Sequence, residues 1–153
     1  MSCYCPWAKE GFPFYFYKIM KLFKNLNLAY CTNVHRGNSW LETFDSLKKY
    51  VLAVREKVAP KERFAIGLRL GADAAQELAK PEQILVFQKW LHANDCYVFT
   101  INGFPYGNFH GARVKEQVYL PDWTSPERLE YTNLLFDLLA ELSEEGAEGS
   151  VST

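Results

Sequence analysis

The sequence lacks a long apolar run, an excess of charge of either sign and a nucleotide-binding motif. No run reaches the roughly 18 apolar residues that a membrane span needs. Lys and Arg number 17 and Asp and Glu 18, for a formal net charge of -1, which gives neither a nucleic-acid footprint nor a polybasic membrane anchor. No strand-like run leads into G-x-G-x-x-G or a Walker loop. These absences predict no membrane span, no nucleic-acid partner and no nucleotide-binding open sheet.

The four cysteines do not form a recognisable disulfide or metal-binding framework. Cys3 and Cys5 make a C-x-C, but the second ligand pair of a structural zinc site is missing. Cys31 and Cys96 lie in apolar, strand-like runs, where a free thiol usually behaves as a small buried hydrophobe. With neither a disulfide framework nor a convincing secretory signal, the sequence predicts a protein of the reducing cytoplasm.

The 153 residues suffice for one domain, but a closed eight-stranded α/β barrel typically needs about 250. Residues 1–19 crowd aromatic side chains around Pro13 without helical periodicity, which predicts an atypical amino-terminal extension, with Met20 as an alternative start. Residues 20–153 repeat a short β-rich run, polar residues and a longer amphipathic stretch. The pattern predicts strands at 26–33, 64–70 and 97–102, helices at 39–58, 72–79, 81–94 and from 125 to about 146, and the start of a fourth strand at 149–153.

The helical spacing also predicts which side chains form the core. In the first helix these are Leu41, Phe44, Leu47, Val51 and Val54, with Ser39 or Asn38 as the N-cap and Glu42 completing a capping box. In the last helix they are Leu129, Thr132, Leu135, Phe136, Leu139 and Leu142. The tryptophans Trp40, Trp90 and Trp123 are interpreted as core or loop-packing residues.

Strands that alternate with helices imply βαβ units and a parallel sheet. Both an open doubly wound sheet and a barrel fit this pattern. Within each strand one face is bulky, such as Tyr97, Phe99 and Ile101, and the other is smaller and ends in a polar residue. Those terminal residues are Asn33, Arg69 and Asn102. A buried polar group without partners costs several kcal/mol, so the pattern predicts a solvated or ligand-filled site at the carboxyl ends of the strands.

A long loop follows the third strand, NGFPYGNFHGARVKEQVY at 102–119. Loops of this length in a compact domain are usually functional or disordered, and this one is too aromatic for disorder. His110 is a candidate general acid or base, Arg113 and Lys115 are candidates to hold a phosphate or carboxylate, and Tyr106 is a candidate pocket wall. The alternative is that both cations are solvated and His110 only stabilises the loop.

His35 is the second catalytic candidate. It lies two residues after Asn33, so it should emerge on the same rim as His110. Two histidines without a third ligand do not make a metal site, and none is predicted here.

Three segments carry a resemblance to a known family: LAYCTNVH at 28–35, GLRL at 67–70 and YVFTINGFPYGNFHGARVKEQVYLPDW at 97–123. In these, residues 20–153 closely resemble the amino-terminal part of EboE-type metabolite traffic proteins, which belong to the xylose-isomerase-like TIM barrels. The resemblance departs at Arg36, where the family has Pro before Gly. It implies parallel βα repeats that form the first half of a TIM (β/α)8 barrel, truncated at the fourth strand. It suggests as pocket residues Asn33, His35, Arg69, Asn102, His110, Arg113 and Lys115, without assigning their roles.

The family implies handling or export of a small polar or phosphorylated metabolite, with sugar-phosphate isomerase- or epimerase-like chemistry in the full-length form and other metabolite traffic proteins as partners. In such barrels the residues that bind a divalent metal come from later strands. The resemblance therefore leaves the cofactor unidentified, and the fragment is expected to be inactive. One alternative is a non-catalytic metabolite-binding or scaffold component. A DNA-repair endonuclease of the same group is disfavoured by the balanced charge. The exposed strand edges of a half-barrel predict self-association.

Overall fold

The computed structural model describes residues 21–23, 26–107, 117–144 and 147–153. The strands are β1 (Lys21–Phe23), β2 (Leu26–Asn27), β3 (Tyr30–Cys31), β4 (Phe64–Arg69), β5 (Cys96–Asn102) and β6 (Ser150–Ser152). The helices are α1 (Trp40–Ser46), α2 (Leu52–Val58), α3 (Ala72–Leu78), α4 (Pro81–Ala93) and α5 (Pro126–Leu142), with a π-helix at Leu47–Val51 and 3₁₀ turns at Thr32–Val34 and Gln117–Tyr119. The predicted extension at 1–19 lies outside the described residues.

Four strands form one parallel sheet in the order β3-β4-β5-β6, and β1 and β2 pair separately as an antiparallel ribbon. Helices alternate with the strands of the parallel sheet. The predicted α/β class and parallel sheet are therefore confirmed, and the architecture is compatible with a partial βα repeat fold. The predicted fourth strand is also present, paired in parallel with β5.

The first predicted strand, 26–33, is shorter in the structure than in the prediction. It divides into β2 and β3, and a 3₁₀ turn begins at Thr32. The reason lies in the side chain of Thr32, which is buried between strands. Its hydroxyl accepts a hydrogen bond from the Arg69 amide at 2.8 Å and donates one to the Gly67 carbonyl at 3.2 Å. The hydroxyl thereby takes over the pairing with β4 that a longer β3 would have supplied.

A bulge in β5 changes which of its side chains share a face. Ile66 pairs with Val98, but the next residue, Gly67, pairs with Thr100, so Phe99 is the extra residue on β5. An extra residue in one strand interrupts the period-2 alternation of side chains. The prediction that Tyr97, Phe99 and Ile101 share one face is therefore wrong.

The pairing after the bulge aligns bulky residues with bulky residues. Ile101 lies beside Leu68, and both side chains are fully buried. On the other face, Asn102 lies beside Arg69. Every residue of β4 is buried, as expected for a central strand of a parallel sheet.

The first helical segment runs from α1 through the π-helix into α2. Ser39 is the N-cap, and its hydroxyl accepts a hydrogen bond from the Glu42 amide at 3.2 Å. The Glu42 carboxylate in turn accepts from the Asn38 amide at 2.9 Å, one residue earlier than in a standard capping box. Leu41 is 66% exposed, so its predicted place in the core is wrong. Trp40 takes the inward position instead and stacks on Phe44 with ring centroids 5.3 Å apart.

Helix α5 presents a different face to the sheet from the predicted one. Leu129 and Phe136 are 56% and 53% exposed, which contradicts their predicted burial. The predicted Thr132, Leu135, Leu139 and Leu142 are buried, together with Arg128, Tyr131 and Leu138. The buried face of α5 is rotated from the predicted one because the side chains of Arg128 and Tyr131 belong to it.

The two cysteines in the described part of the chain differ in exposure. Cys96 is buried as predicted, and burial raises the pKa of its thiol to about 11. Cys31 is exposed, contrary to prediction, because β3 is two residues long and lies at an edge of the sheet. Trp123 is 61% exposed, with the Arg128 guanidinium 5.5 Å from its ring centroid.

Candidate functional site

The carboxyl ends of β3, β4 and β5 surround the side chain of Arg69. This residue is the last of β4 and is 7% exposed. Its Nη1 donates to the Gly37 carbonyl at 3.1 Å, and its Nη2 donates to the Pro105 and Gly107 carbonyls at 3.3 and 3.0 Å. A single guanidinium therefore joins the loops that follow β3 and β5.

Gly37 allows the first of these loops to come close to the sheet. A Cβ atom at this position would lie 2.5 Å from Thr43 Oγ1 and 3.0 Å from Thr43 Cα, which is too close for any side chain. The Ser46 hydroxyl also donates to the Arg36 carbonyl at 3.0 Å, which ties the same loop to α1. The close approach places the Gly37 carbonyl within reach of Arg69.

His35 lies on the same rim as Arg69; the prediction that His110 shares this rim concerns a residue outside the described ranges. The Tyr30 hydroxyl and His35 Nε2 are 3.0 Å apart, and the imidazole stacks on Tyr50 at 4.6 Å between ring centroids with an interplanar angle of 10°. Tyr50 belongs to the π-helix, an irregularity frequently found at functional sites. Desolvation by burial lowers the pKa of His35, which favours a neutral imidazole.

A small cavity connects His35 and Arg69. It has a volume of about 10 Å³, which is room for about one water molecule. Its lining includes His35, Arg69, Gly37, Thr43 and Ser46. A cavity of this volume is too small to hold a metabolite.

The other described candidates are placed as follows. Asn102 lies beside Arg69 in the sheet, and its Oδ1 accepts a hydrogen bond from the Phe104 amide at 2.9 Å. Tyr106 packs edge-on against Tyr131, with ring centroids 4.9 Å apart. Asn33 is exposed on the 3₁₀ turn. The structure thus brings Arg69, Asn102, Tyr106 and His35 to one edge of the sheet, and Asn33 lies at its margin.

Three predicted residues, His110, Arg113 and Lys115, lie outside the described residues. Their assignment as catalytic or ligand-binding residues stays a prediction. The prediction concerning a metal is likewise unresolved. The described ranges contain no group of three or more His, Cys, Asp or Glu that could hold a metal ion.

Two residues of the site, Tyr131 and Arg128, were not identified from the sequence. The Tyr131 hydroxyl lies 2.6 Å from the Leu70 carbonyl and 3.0 Å from the Gly103 carbonyl, where β4 and β5 end. Burial raises the pKa of this hydroxyl well above its usual range, so it stays a neutral donor. The only signal was their position three residues apart, which places them on one helix face.

Both buried arginines lack an acidic partner in the described part of the chain. The ion pairs found there are Lys48–Asp45, Arg55–Asp95 and Arg63–Glu144, and all of them include a largely exposed side chain. Desolvation lowers the pKa of Arg69, and no carboxylate counteracts it. The edge of the sheet therefore carries buried positive charge that no described acidic side chain neutralises.

No protein family model, curated protein or solved structure matches the chain. None of the helices within the described ranges combines the length and apolar character needed to cross a lipid bilayer. Fold and site together define an α/β protein in which a buried arginine, without an acidic partner among the described residues, lies at the carboxyl ends of a parallel sheet.

Proposed function

We propose that the chain is the amino-terminal part of an EboE-type metabolite traffic protein, which binds a small polar or phosphorylated metabolite at the carboxyl ends of its strands. The observation that carries this proposal is the buried guanidinium of Arg69, placed at that edge and, among the described residues, held by main-chain carbonyls alone. A buried charge without an opposite charge is costly. An anionic or strongly polar ligand would supply the missing partner.

The strand order supports the barrel part of this proposal. Each strand of the parallel sheet lies next to the following one, β3-β4-β5-β6, without reversal. A doubly wound sheet reverses its order at a switch point, whereas a (β/α)8 barrel keeps one direction throughout. Right-handed crossovers that all run in one direction place the helices on one face of the sheet. Helix α1 packs against α3, and α3 packs against α5, as this arrangement requires. We therefore propose the first half of a TIM barrel.

Isomerase- or epimerase-like chemistry needs a base that is neutral near pH 7. When Nε2 of His35 carries the proton and donates to the Tyr30 oxygen, the imidazole is neutral and the lone pair of Nδ1 is free to accept a proton; the lowered pKa favours this neutral form. In this proposal His35 exchanges a proton with the metabolite, and Arg69 holds the developing negative charge. His110 is the second candidate for proton transfer.

A non-catalytic metabolite-binding or scaffold component is the second candidate. Among the described residues, no carboxylate forms a hydrogen bond or ion pair with Arg69 or His35. Isomerase-like barrels take their metal carboxylates from later strands, so a full set of carboxylates there would favour an enzyme and their absence would favour a binding component. Interconversion of a bound sugar phosphate, followed by NMR and abolished in His35→Asn, would instead favour the enzyme.

Calorimetric titration of the chain with a panel of neutral sugars and sugar phosphates tests the proposed function. We expect at least one member to bind, and Arg69→Gln to weaken that binding by at least about tenfold, since a hydrogen bond to a charged group contributes about 1.5–3 kcal/mol. Arg63→Gln removes the same charge from an exposed ion pair and should leave affinity within about twofold. Circular dichroism establishes that both variants fold. The proposal is wrong if the panel does not bind, or if Arg69→Gln binds like the wild type.

A further inference from the structure

Arg128 is a second buried cation whose role the proposed function does not explain. It lies in the first turn of α5 and is 5% exposed. Its Nε is buried without a hydrogen-bond partner. A buried donor of a charged group that lacks an acceptor destabilises the fold, because the loss of its hydration is not compensated. Burial of Arg128 therefore lowers the stability of the fold unless a group outside the described residues accepts a hydrogen bond from its Nε.

Tyr131 places Arg128 at the same edge of the sheet as Arg69. The two residues lie three positions apart on the inward face of α5, so their side chains are neighbours. The hydroxyl of Tyr131 reaches the carbonyls of Leu70 and Gly103, the residues that directly follow β4 and β5. Arg69, at the end of β4, reaches the loop that continues from Gly103.

The electrostatics of Tyr131 agree with this placement. Burial raises the pKa of its hydroxyl, and the positive charges of Arg69 and Arg128 both oppose the rise. Both guanidinium groups are therefore near enough to act on one phenol through the protein interior. Two buried cations at the same edge of the sheet repel each other, and an anion bound beside them would offset that repulsion.

The amino terminus of α5 adds to the same positive region. This helix has 17 residues, and its N-cap Ser125 makes no side-chain cap, because its hydroxyl donates to the Asp122 carbonyl. The carboxylate of Asp122 accepts from the amide and hydroxyl of Thr124 at 2.9 and 2.6 Å and makes no ion pair with Arg128 within the described ranges. Pro126 has no amide hydrogen and the Arg128 amide donates to the Ser125 carbonyl at 3.2 Å, so the contribution of this helix start to anion binding is limited to the Glu127 amide and the helix dipole.

We propose that Arg69 and Arg128 together form a site for a dianionic phosphate monoester, so that the metabolite of the proposed function carries a phosphate group. The inference rests on that function. One cation suffices for a carboxylate, whereas two guanidinium groups and a helix start match the charge and the several acceptor oxygens of a phosphate. Arg128 is then a binding residue of the site.

Titration with glycerol 3-phosphate tests the inference, with sulfate as a fully ionised comparison. The second pKa of a phosphate monoester is about 6, so the dianionic fraction rises about tenfold between pH 5 and pH 7. The wild-type affinity for glycerol 3-phosphate should rise by about the same factor. The affinity for sulfate should not rise with it. This measurement needs no variant and is independent of how Arg128 variants fold.

Variants then test whether Arg128 supplies part of the positive charge that binds the phosphate. Arg128→Gln should weaken glycerol 3-phosphate binding at least about tenfold, Arg128→Lys should restore part of it, and Arg63→Gln should match the wild type. Binding that depends on Arg69 but not on Arg128, or that does not strengthen with pH, overturns the inference and leaves the proposed function standing. Neutral sugars that bind through Arg69 while glycerol 3-phosphate does not also overturn it. If neither sugars nor phosphates bind, the proposed function fails as well.

Discussion

His35 owes its properties to the three groups packed around it. Tyr30 binds its Nε2, Tyr50 covers one face of its ring, and the cavity shared with Arg69 borders it. This environment removes solvent without supplying a carboxylate, and the loss of solvent disfavours the imidazolium. The residue is thus held in one orientation and in its neutral form, which are the two requirements of a base or hydrogen-bond acceptor.

The lowered pKa of His35 predicts a loss of stability in mild acid. Because the unfolded chain binds a proton at the ordinary pKa of 6.5 while the folded chain does so only at lower pH, the favourable contribution is complete above pH 6.5 and is lost as the pH falls below it. Urea unfolding should show the wild type losing stability relative to His35→Asn between pH 7.5 and pH 5. The imidazole proton signal that disappears in His35→Asn should titrate below 6.5 in the folded wild type. A value of 6.5 or higher contradicts the prediction.

Some residues of the site could be predicted from the sequence and others could not. Arg69 and Asn102 could be predicted because each is the polar residue that ends the smaller face of a strand. Arg128 and Tyr131 could not, because helical periodicity assigns apolar residues to the inward face and polar residues to solvent. The hydroxyl of Thr32 links the turn after β3 to the main chain of β4, and such a contact leaves no periodic signal.

Helix α5 shows that the start of a helix is easier to predict than its rotation. The start at Ser125-Pro126 is confirmed, since Pro126 is the first helical residue, whereas the helix ends at Leu142 and not near residue 146. The inward face nevertheless differs, because leucines occur around much of the helix and do not define a single stripe. For β3 the error was in length, and for β5 it was in the alternation after the bulge at Phe99. Bulges and side-chain bridges depend on the neighbouring strand, which a local pattern does not contain.

Two adjacent residues of α5 test its rotation. Leu135 is fully buried and Phe136 is 53% exposed. Leu135→Ala should lower the free energy of unfolding by about 2–5 kcal/mol through lost burial and the cavity it leaves. Phe136→Ala should change it by roughly 0.5 kcal/mol or less, as at most surface positions. Urea denaturation of both variants measures the difference, and equal losses would contradict the described rotation.

At the scale of the molecule, the parallel sheet has two ends at which pairing stops. Within the described ranges, β3 pairs only with β4 and β6 pairs only with β5. Their outer backbone groups are then open to another strand. Exposed apolar side chains, such as Leu129 and Phe136, lie on the helical side of the same molecule.

This arrangement predicts that the chain associates with itself or with another chain. Strand pairing at a free edge satisfies main-chain donors and acceptors that water otherwise solvates, and burial of apolar side chains adds to it. Sedimentation velocity at micromolar concentration should show dimers or larger species whose fraction increases with concentration. A monodisperse monomer over a hundredfold range of concentration would contradict the prediction.

Within the described ranges, Arg69 contacts the loop after β5 through the main-chain oxygens of Pro105 and Gly107. Side chains at these positions can therefore be exchanged during evolution without removing an acceptor from the guanidinium, provided the backbone keeps its course. In the proposed function, selection can in this way alter which ligand the loop recognises while the charge that attracts the ligand is inherited unchanged. Anchoring and recognition are separable traits in this architecture, and new specificities can arise from substitutions in the loop alone.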